Sequence, residues 1–165
     1  GWKHIDSGDY EHLDSLSITN LSGYEDNTVD LIYASHVIEY FNRDEVKELL
    51  REWHRVLKPG GSLRLGVPNF QKIAHLYSSG QYNLDYFVGL LYGKMPMADA
   101  TIYHKTVYDF ESLAKVLKEA GFSDCRDWDW RTTEHSHFDD HSQAYLPHMD
   151  KGTGTLMSLN VECTK

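Results

Sequence analysis

Cysteine is scarce in this chain: only Cys125 and Cys163 occur among 165 residues. Two cannot build a disulfide framework, so reduced thiols in a cytoplasmic protein are the plain expectation. A bridge between the two is geometrically open if the last two strands are neighbours. Long apolar runs are also missing. Nothing approaches the roughly 18 consecutive apolar residues that cross a bilayer, and no signal-peptide pattern opens the chain. Positive charge is in deficit, with 16 Lys and Arg against 25 Asp and Glu and a net charge of −9. Without a basic cluster, a nucleic-acid backbone is a poor main partner. No internal repeat or low-complexity tract appears, and the length suits one domain with a real core.

What is present alternates between strand and helix signals. Trp2, His4 and Ile5 read as a strand ending on Asp6, and a second strand is expected to end at Asn20 and Leu21. "VDLIYAS", residues 29–35, is a mostly apolar run too short for a helix, hence a buried strand. In "NRDEVKELLREWHRVL", Val46, Leu49, Leu50, Trp53, Val56 and Leu57 share one helical face, and Asn42 with Glu45 resembles a capping box. "KPGG", Lys58 to Gly61, reads as the turn that stops this helix, and "SLRLGVP" as the next strand. Asn69 caps a short helix with Phe70, Ile73, Ala74 and Tyr77, closed by Gly80. A second apolar helix covers residues 84–92, and residues 94–108 form a long loop. Asp109 caps "FESLAKVLKEA", and "FSDCRDWDW" and "TLMSLNVECTK" are the closing strands, with a polar loop at 131–154 between them.

This order implies an open α/β sheet, mainly parallel, with helices on both faces and ligands at the carboxyl ends of the strands. The residues at those ends are Asp6, Asn20, Leu21, Ser35, His36 and Asn69. His36 and Glu39 lie three apart, close enough to meet across one helical turn, and a carboxylate-oriented imidazole is a plausible general base. The plainer alternative is a His that caps its own helix or contacts a cofactor. His104 and Lys105 sit in the loop before Asp109, where a His is either structural or poised over an acceptor.

"EDNTVDLIYASHVIEYF" followed by "LLREWHRVLKPGGSLRLGVPNF" resembles the class I S-adenosylmethionine-dependent methyltransferases, the small bacterial members above all. The likeness runs from Gly1 to about Phe122 and takes in the closing "SLNVECTK". It implies one Rossmann-like three-layer methyltransferase domain over residues 1–165, mostly parallel, with a C-terminal antiparallel strand. It implies S-adenosylmethionine as cofactor, with Asp6 accepting from the ribose hydroxyls, Asn20 and Leu21 flanking adenine, and Ser35 and His36 where cofactor and acceptor meet. His36, Glu39 and His104 are then the candidate catalytic residues. A saccharide or other small molecule is the implied acceptor, in a pocket formed by the loops at 94–108 and 131–150.

One family feature has no counterpart here. No G-x-G precedes Asp6, Gly60-Gly61 lies on the wrong side of its strand, and "GTG" at 152–154 lies between the last two strands. The first family strand is therefore expected to be missing and the domain N-terminally truncated, with weak or no cofactor binding. The remaining strands would pair directly, a second copy would lend a strand in a homodimer through exposed sheet edges, or residues upstream would fill the gap. Two rival functions stand beside this one. One is a methyltransferase-like binding or assembly module without catalysis. The other is metal binding by His135, His137, His141 and His148 with Asp139 and Asp140, a set whose spacing fits no zinc motif and whose plain alternative is a polar surface loop.

Overall fold

The apolar run Val29–Ser35 forms strand β1 of a four-stranded sheet in a computed structural model of the chain, which describes residues 1–6, 11, 13–14, 17–97 and 100–165. Its neighbours are β2 (Leu57–Pro68), β8 (Ser158–Thr164) and β5 (Ser123–Asp127), in the order β1–β2–β8–β5. β1 and β2 are parallel, while β8 is antiparallel to both β2 and β5. Three strands thus point one way and β8 the other, the mixed α/β sheet that the sequence implies.

β8 lies between two partners, so nearly all of it is buried, and its alternation sorts two environments. Leu159, Val161 and Cys163 join the main core together with helix α1 (Glu45–Val56) and helix α4 (Phe110–Glu119). The stripe Val46, Leu49, Leu50, Trp53 and Val56 buries α1 as its spacing requires, and Lys47 of α1 reaches Glu119 of α4 at 3.5 Å. The other face of β8 carries Ser158, Asn160 and Glu162. Asn160 donates to the Ser142 carbonyl, and Glu162 pairs with Arg64, which also pairs with Glu134. Helices are expected on both faces. Here the polar face of β8 is met instead by the segment 134–142, because its side chains demand hydrogen-bonding partners that an apolar helix face lacks.

Helix α2 (Phe70–Ser78) is capped by Asn69 and buries Ile73 and Leu76, while Tyr77 points outward. Residues 84–92 form two pieces in place of one helix: a 3-10 turn at Leu84–Tyr86 and α3 (Val88–Tyr92). Only Phe87 in that stretch is fully buried, so no single face carries the packing. The long loop holds a small hairpin of β3 (Met95–Met97) and β4 (Ala100–Ile102). The polar loop likewise contributes β6 (Tyr145–Leu146), paired with β7 (Thr155–Leu156).

Four expectations are corrected. Residues 2–6 form no strand: Ile5 makes a lone bridge, and the backbone of His4 is engaged instead by Asp14, through its carboxylate and its N–H. Strand geometry needs a continuous ladder, and within residues 2–6 only Ile5 carries a bridge. Before Asn20, residues 15 and 16 lie outside the described residues, and residues 17–22 form a turn in which Ser17 accepts from the Asn20 N–H and Asn20 accepts from the Ser22 N–H. "KPGG" belongs to β2 as a bulge: Val29 pairs with Leu57 and Leu31 with Ser62, so the intervening chain loops out, with Gly60 at φ +78°. Finally, Cys125 and Cys163 are joined in a disulfide, with Cα atoms 4.3 Å apart, because the register of β5 against β8 brings them face to face.

Candidate functional site

At the tip of β1 the chain turns sharply. His36 has φ +54°, a left-handed conformation that costs a residue with a Cβ of the order of 1 kcal/mol or more. Its N–H donates to the Gly66 carbonyl at 2.8 Å, and the turn aims the imidazole across the sheet ends toward β8. There His36 Nε2 lies 3.1 Å from Ser158 Oγ, Ser158 donates to Asn160 Oδ1 at 2.8 Å, and Asn160 donates to the Ser142 carbonyl at 3.0 Å. Gly66 makes room for this chain: a Cβ on it would stand 3.1 Å from Ser158 Oγ and 3.2 Å from Asn160 Oδ1.

Glu39 follows in a 3-10 turn, Ile38–Tyr40, and is wholly buried. Its Oε1 is 3.3 Å from His36 Nδ1 and 3.8 Å from His104 Nε2, yet neither carboxylate oxygen has a hydrogen-bond partner. Burial pushes the carboxyl up to about 8, against a weaker opposing pull from the backbone. Burial likewise drives His36 down to about 3, aided by His141 and His104 nearby. His104 is lowered by burial too, although its Nδ1 contact with the Leu90 carbonyl at 3.1 Å opposes the shift. The structure therefore brings all three sequence-predicted catalytic residues together. His104 is held by its own backbone bond to the Tyr92 carbonyl and by the bare face of Gly93, against which its ring packs.

A second polar knot secures the strand tip. Asp140 accepts from Tyr33 Oη at 2.6 Å, from Ser35 Oγ at 3.0 Å and from the Ser142 N–H at 2.8 Å. Burial raises its carboxyl, but these donors outweigh it and hold it below its ordinary range. Ser35 thus serves its own chain in this structure. The histidines of the polar loop scatter. His135 is buried and stacks on Tyr33 with ring centroids 3.9 Å apart, His137 lies against Phe138, and His141 faces His36 at 5.3 Å. Among the described residues no group of three or more His, Cys, Asp or Glu side chains is placed so that it could hold a metal ion.

On the outer side of β1 lies a cavity of about 730 Å³. β1 borders it along its length, Trp2, Lys3 and Ile5 border it opposite, and Leu21, Tyr24 and Trp53 close it. Of the predicted cofactor residues, Leu21 and Ser35 line this cavity. Asp6 and His36 are chain neighbours of Ile5 and Ser35 in that lining. Leu21 is fixed by α1, its N–H donating to Glu52 and its carbonyl accepting from Arg55. Asn20 is exposed and spends its side chain on a local turn.

Sequence reasoning missed Asp140, Ser142, Ser158 and Asn160 as parts of the site. The D-x-S spacing of Asp140 and Ser142 was a readable turn signal. Alternate polar residues in the apolar run around Ser158 and Asn160 were a second, since buried polar side chains require partners.

No curated protein matches the chain. A family model described as a methyltransferase domain matches residues 8–65. Among solved structures, a SAM-dependent methyltransferase of Methanosarcina mazei is 16% identical, with TM-score 0.55, over 93% of this chain and 66% of its own. One from Archaeoglobus fulgidus is 14% identical, with TM-score 0.55, over 98% of this chain and 74% of its own. A protein of Nostoc punctiforme assigned to the O-methyltransferases is 17% identical, with TM-score 0.54, over 93% of this chain and 36% of its own. At such identities the structures speak to the fold, and the chain spans only part of their length. The match of a methyltransferase-domain model to residues 8–65 and the likeness of the fold to S-adenosylmethionine-dependent methyltransferases make the chain similar to that family over part of its length.

Proposed function

We propose that the chain acts in methyl transfer from S-adenosylmethionine to a small-molecule or saccharide acceptor. The observation that carries this reading is the strained tip at Ser35 and His36, set at the carboxyl end of a parallel strand where ligands of such sheets bind, beside the polar group of Glu39 and His104. In this reading Asp6 accepts from the ribose hydroxyls, Asn20 and Leu21 flank adenine, and Ser35 and His36 face the reacting end. The bound cofactor supplies the electrophilic methyl group. The chain's own part is chiefly to orient the acceptor for in-line approach. Proton removal is the smaller share, since burial leaves His36 little basicity.

The fit of the cofactor is partial. Leu21 and Ser35 border one cavity, with Asp6 next in the chain to its lining residue Ile5, while Asn20 lies outside that lining. The outer edge of β1, unpaired among the described residues, is where a second copy would add to the sheet in a homodimer. No described helix is long and apolar enough to cross a membrane. A cytoplasmic setting, expected from the cysteine content, meets a difficulty in the Cys125–Cys163 disulfide, since such bonds persist mainly in oxidising compartments. Photolabelling with S-adenosylmethionine, followed by peptide mapping, tests the reading. Label on the peptides that contain Leu21 or Ser35 and His36, competed by S-adenosylhomocysteine, supports it. Label elsewhere, or none at millimolar ligand, refutes it.

A further inference from the structure

We propose that Glu39 carries a proton beside His36 at neutral pH, and that Ser158 and Asn160 are the positioning residues that place it there by fixing the His36 tautomer. The spacing of His36 and Glu39 suggests a carboxylate that orients an imidazole base, and the hydrogen-bond network reverses those roles. Asn160 Nδ2 donates to the Ser142 carbonyl at 3.0 Å, so Asn160 Oδ1 is turned to Ser158 and accepts its hydroxyl proton at 2.8 Å. A flipped Asn160 would set two accepting oxygens 3.0 Å apart, so the amide has one orientation. With its only proton spent, Ser158 Oγ can serve His36 Nε2, 3.1 Å away, only as an acceptor. Neutral His36 therefore keeps its proton on Nε2, and Nδ1 is left bare. A backbone carbonyl only accepts, so the contact with Leu90 puts the proton of neutral His104 on Nδ1 and leaves Nε2 bare.

Glu39 Oε1 stands 3.3 Å from the bare Nδ1 of His36 and 3.8 Å from the bare Nε2 of His104, so both of these neighbours are acceptors. Among the described residues neither carboxyl oxygen receives a hydrogen bond, and the residue has no exposed surface. An ionised carboxylate in such a place has lost its water and gained no donor, a costly state. A proton on the carboxyl removes that charge and offers the nearer imidazole the donor it lacks. The other charged and titratable groups nearby do not alter this balance. Arg43 lies over the Tyr108 ring and donates to Thr106 and the Val107 carbonyl, while Lys105 pairs with Glu45. Tyr40 donates to the Gly93 carbonyl, and the buried Tyr108 hydroxyl has no partner. His141, its ring 5.3 Å from that of His36, disfavours a positive charge on His36. Moving the proton from Glu39 to His36 Nδ1 would create a buried ion pair. Burial opposes both of its charges, as the raised carboxyl and the lowered imidazole agree.

The inference concerns the free chain and is independent of methyl transfer. Its test is nuclear magnetic resonance of the full chain, with isotope-labelled histidine rings and glutamate carboxyls, from pH 5 to 9. At pH 7 the unsubstituted chain should show His36 protonated on Nε2, His104 on Nδ1, and Glu39 with the carboxyl shift of an acid, a readout that needs no variant to fold. Glu39 should release its proton at least about a hundredfold less readily than an ordinary glutamate. In Ser158→Ala the His36 proton is free to move to Nδ1 and face Glu39. That should make the carboxyl at least about tenfold more acidic and leave the His104 tautomer as it was. Thermal melts read the same proton without assignments. The folded pKa of Glu39 is raised, so the native chain holds a proton that the unfolded chain gives up above about pH 4.5, and stability is lost as pH rises from there toward about 8. Glu39→Gln keeps a donor and cannot ionise. Its Tm relative to the native chain should rise by about 3–5 °C for each pH unit between 5 and 7.5. An ionised Glu39 at pH 7, or His36 with its proton on Nδ1, overturns the proposal. So does a Glu39→Gln difference that stays flat or falls as pH rises. Either failure leaves the cofactor reading standing, since photolabelling reads that separately.

Discussion

Replacing Asp140 by Asn tests whether the polar segment 134–142 is locked onto the tip of β1. The native carboxylate accepts from Tyr33, Ser35 and the Ser142 N–H, all within 3.0 Å. An amide of the same shape has one accepting oxygen, so it cannot serve both the Tyr33 hydroxyl and the Ser35–Ser142 pair. At least one half-buried donor then loses its partner, at a cost of about 1–3 kcal/mol. In a chain of 165 residues that corresponds to a fall in Tm of about 2–4 °C per kcal/mol, hence roughly 4–8 °C for 2 kcal/mol. The pH dependence adds a sign. The folded pKa of Asp140 is lowered, so its contribution is complete above the unfolded value of about 4 and is lost as pH falls through the folded value. The gap between native and D140N should therefore be full from pH 5 to 8 and shrink below pH 4. Thermal melts followed by circular dichroism across that range measure it. A variant as stable as the native chain at pH 7, or a gap that persists unchanged in acid, would refute the network as described.

Two further substitutions probe other links. Gly66→Ala pushes a methyl group to 3.1 Å from Ser158 Oγ and 3.4 Å from Ser142 Cβ, so the polar chain behind His36 must shift. A loss of about 1–3 kcal/mol is expected in urea unfolding, and an unchanged midpoint would show that the chain is slack. Cys125→Ser opens a disulfide spanning 38 residues, which should lower stability by about 3–4 kcal/mol, of the order of 10 °C in Tm. The native chain should lose that margin on reduction while the variant ignores reductant; melts indifferent to reductant in both would mean the bond does not form.

Much of the framework was readable because it rests on local pattern. β1 over Val29–Ser35, the stripe of α1, the Asp109 cap of α4 and the strand ending at Pro68 all follow from periodicity and capping chemistry. The failures share a cause, dependence on distant partners. Trp2 to Ile5 has strand-like composition, but composition cannot supply a neighbour, and His4 turns to Asp14 instead. "KPGG" has turn chemistry, yet bonds between Gly60, Gly61 and Lys165 keep it within β2. The site divides the same way. His36 and Glu39 could be paired by spacing alone, and His104 was named without a reason to meet them. The groups that orient them lie far along the chain: Ser35 meets Asp140 across 105 residues, and His36 meets Ser158 across 122.

Calorimetric titration of this chain with S-adenosylhomocysteine, beside an Asp6→Ala variant, bears most directly on the function. The native chain should bind with measurable heat, and the variant should bind at least about tenfold more weakly, a loss of about 1.4 kcal/mol or more. Binding indifferent to Asp6, or no binding at millimolar ligand, would contradict the proposed cofactor site.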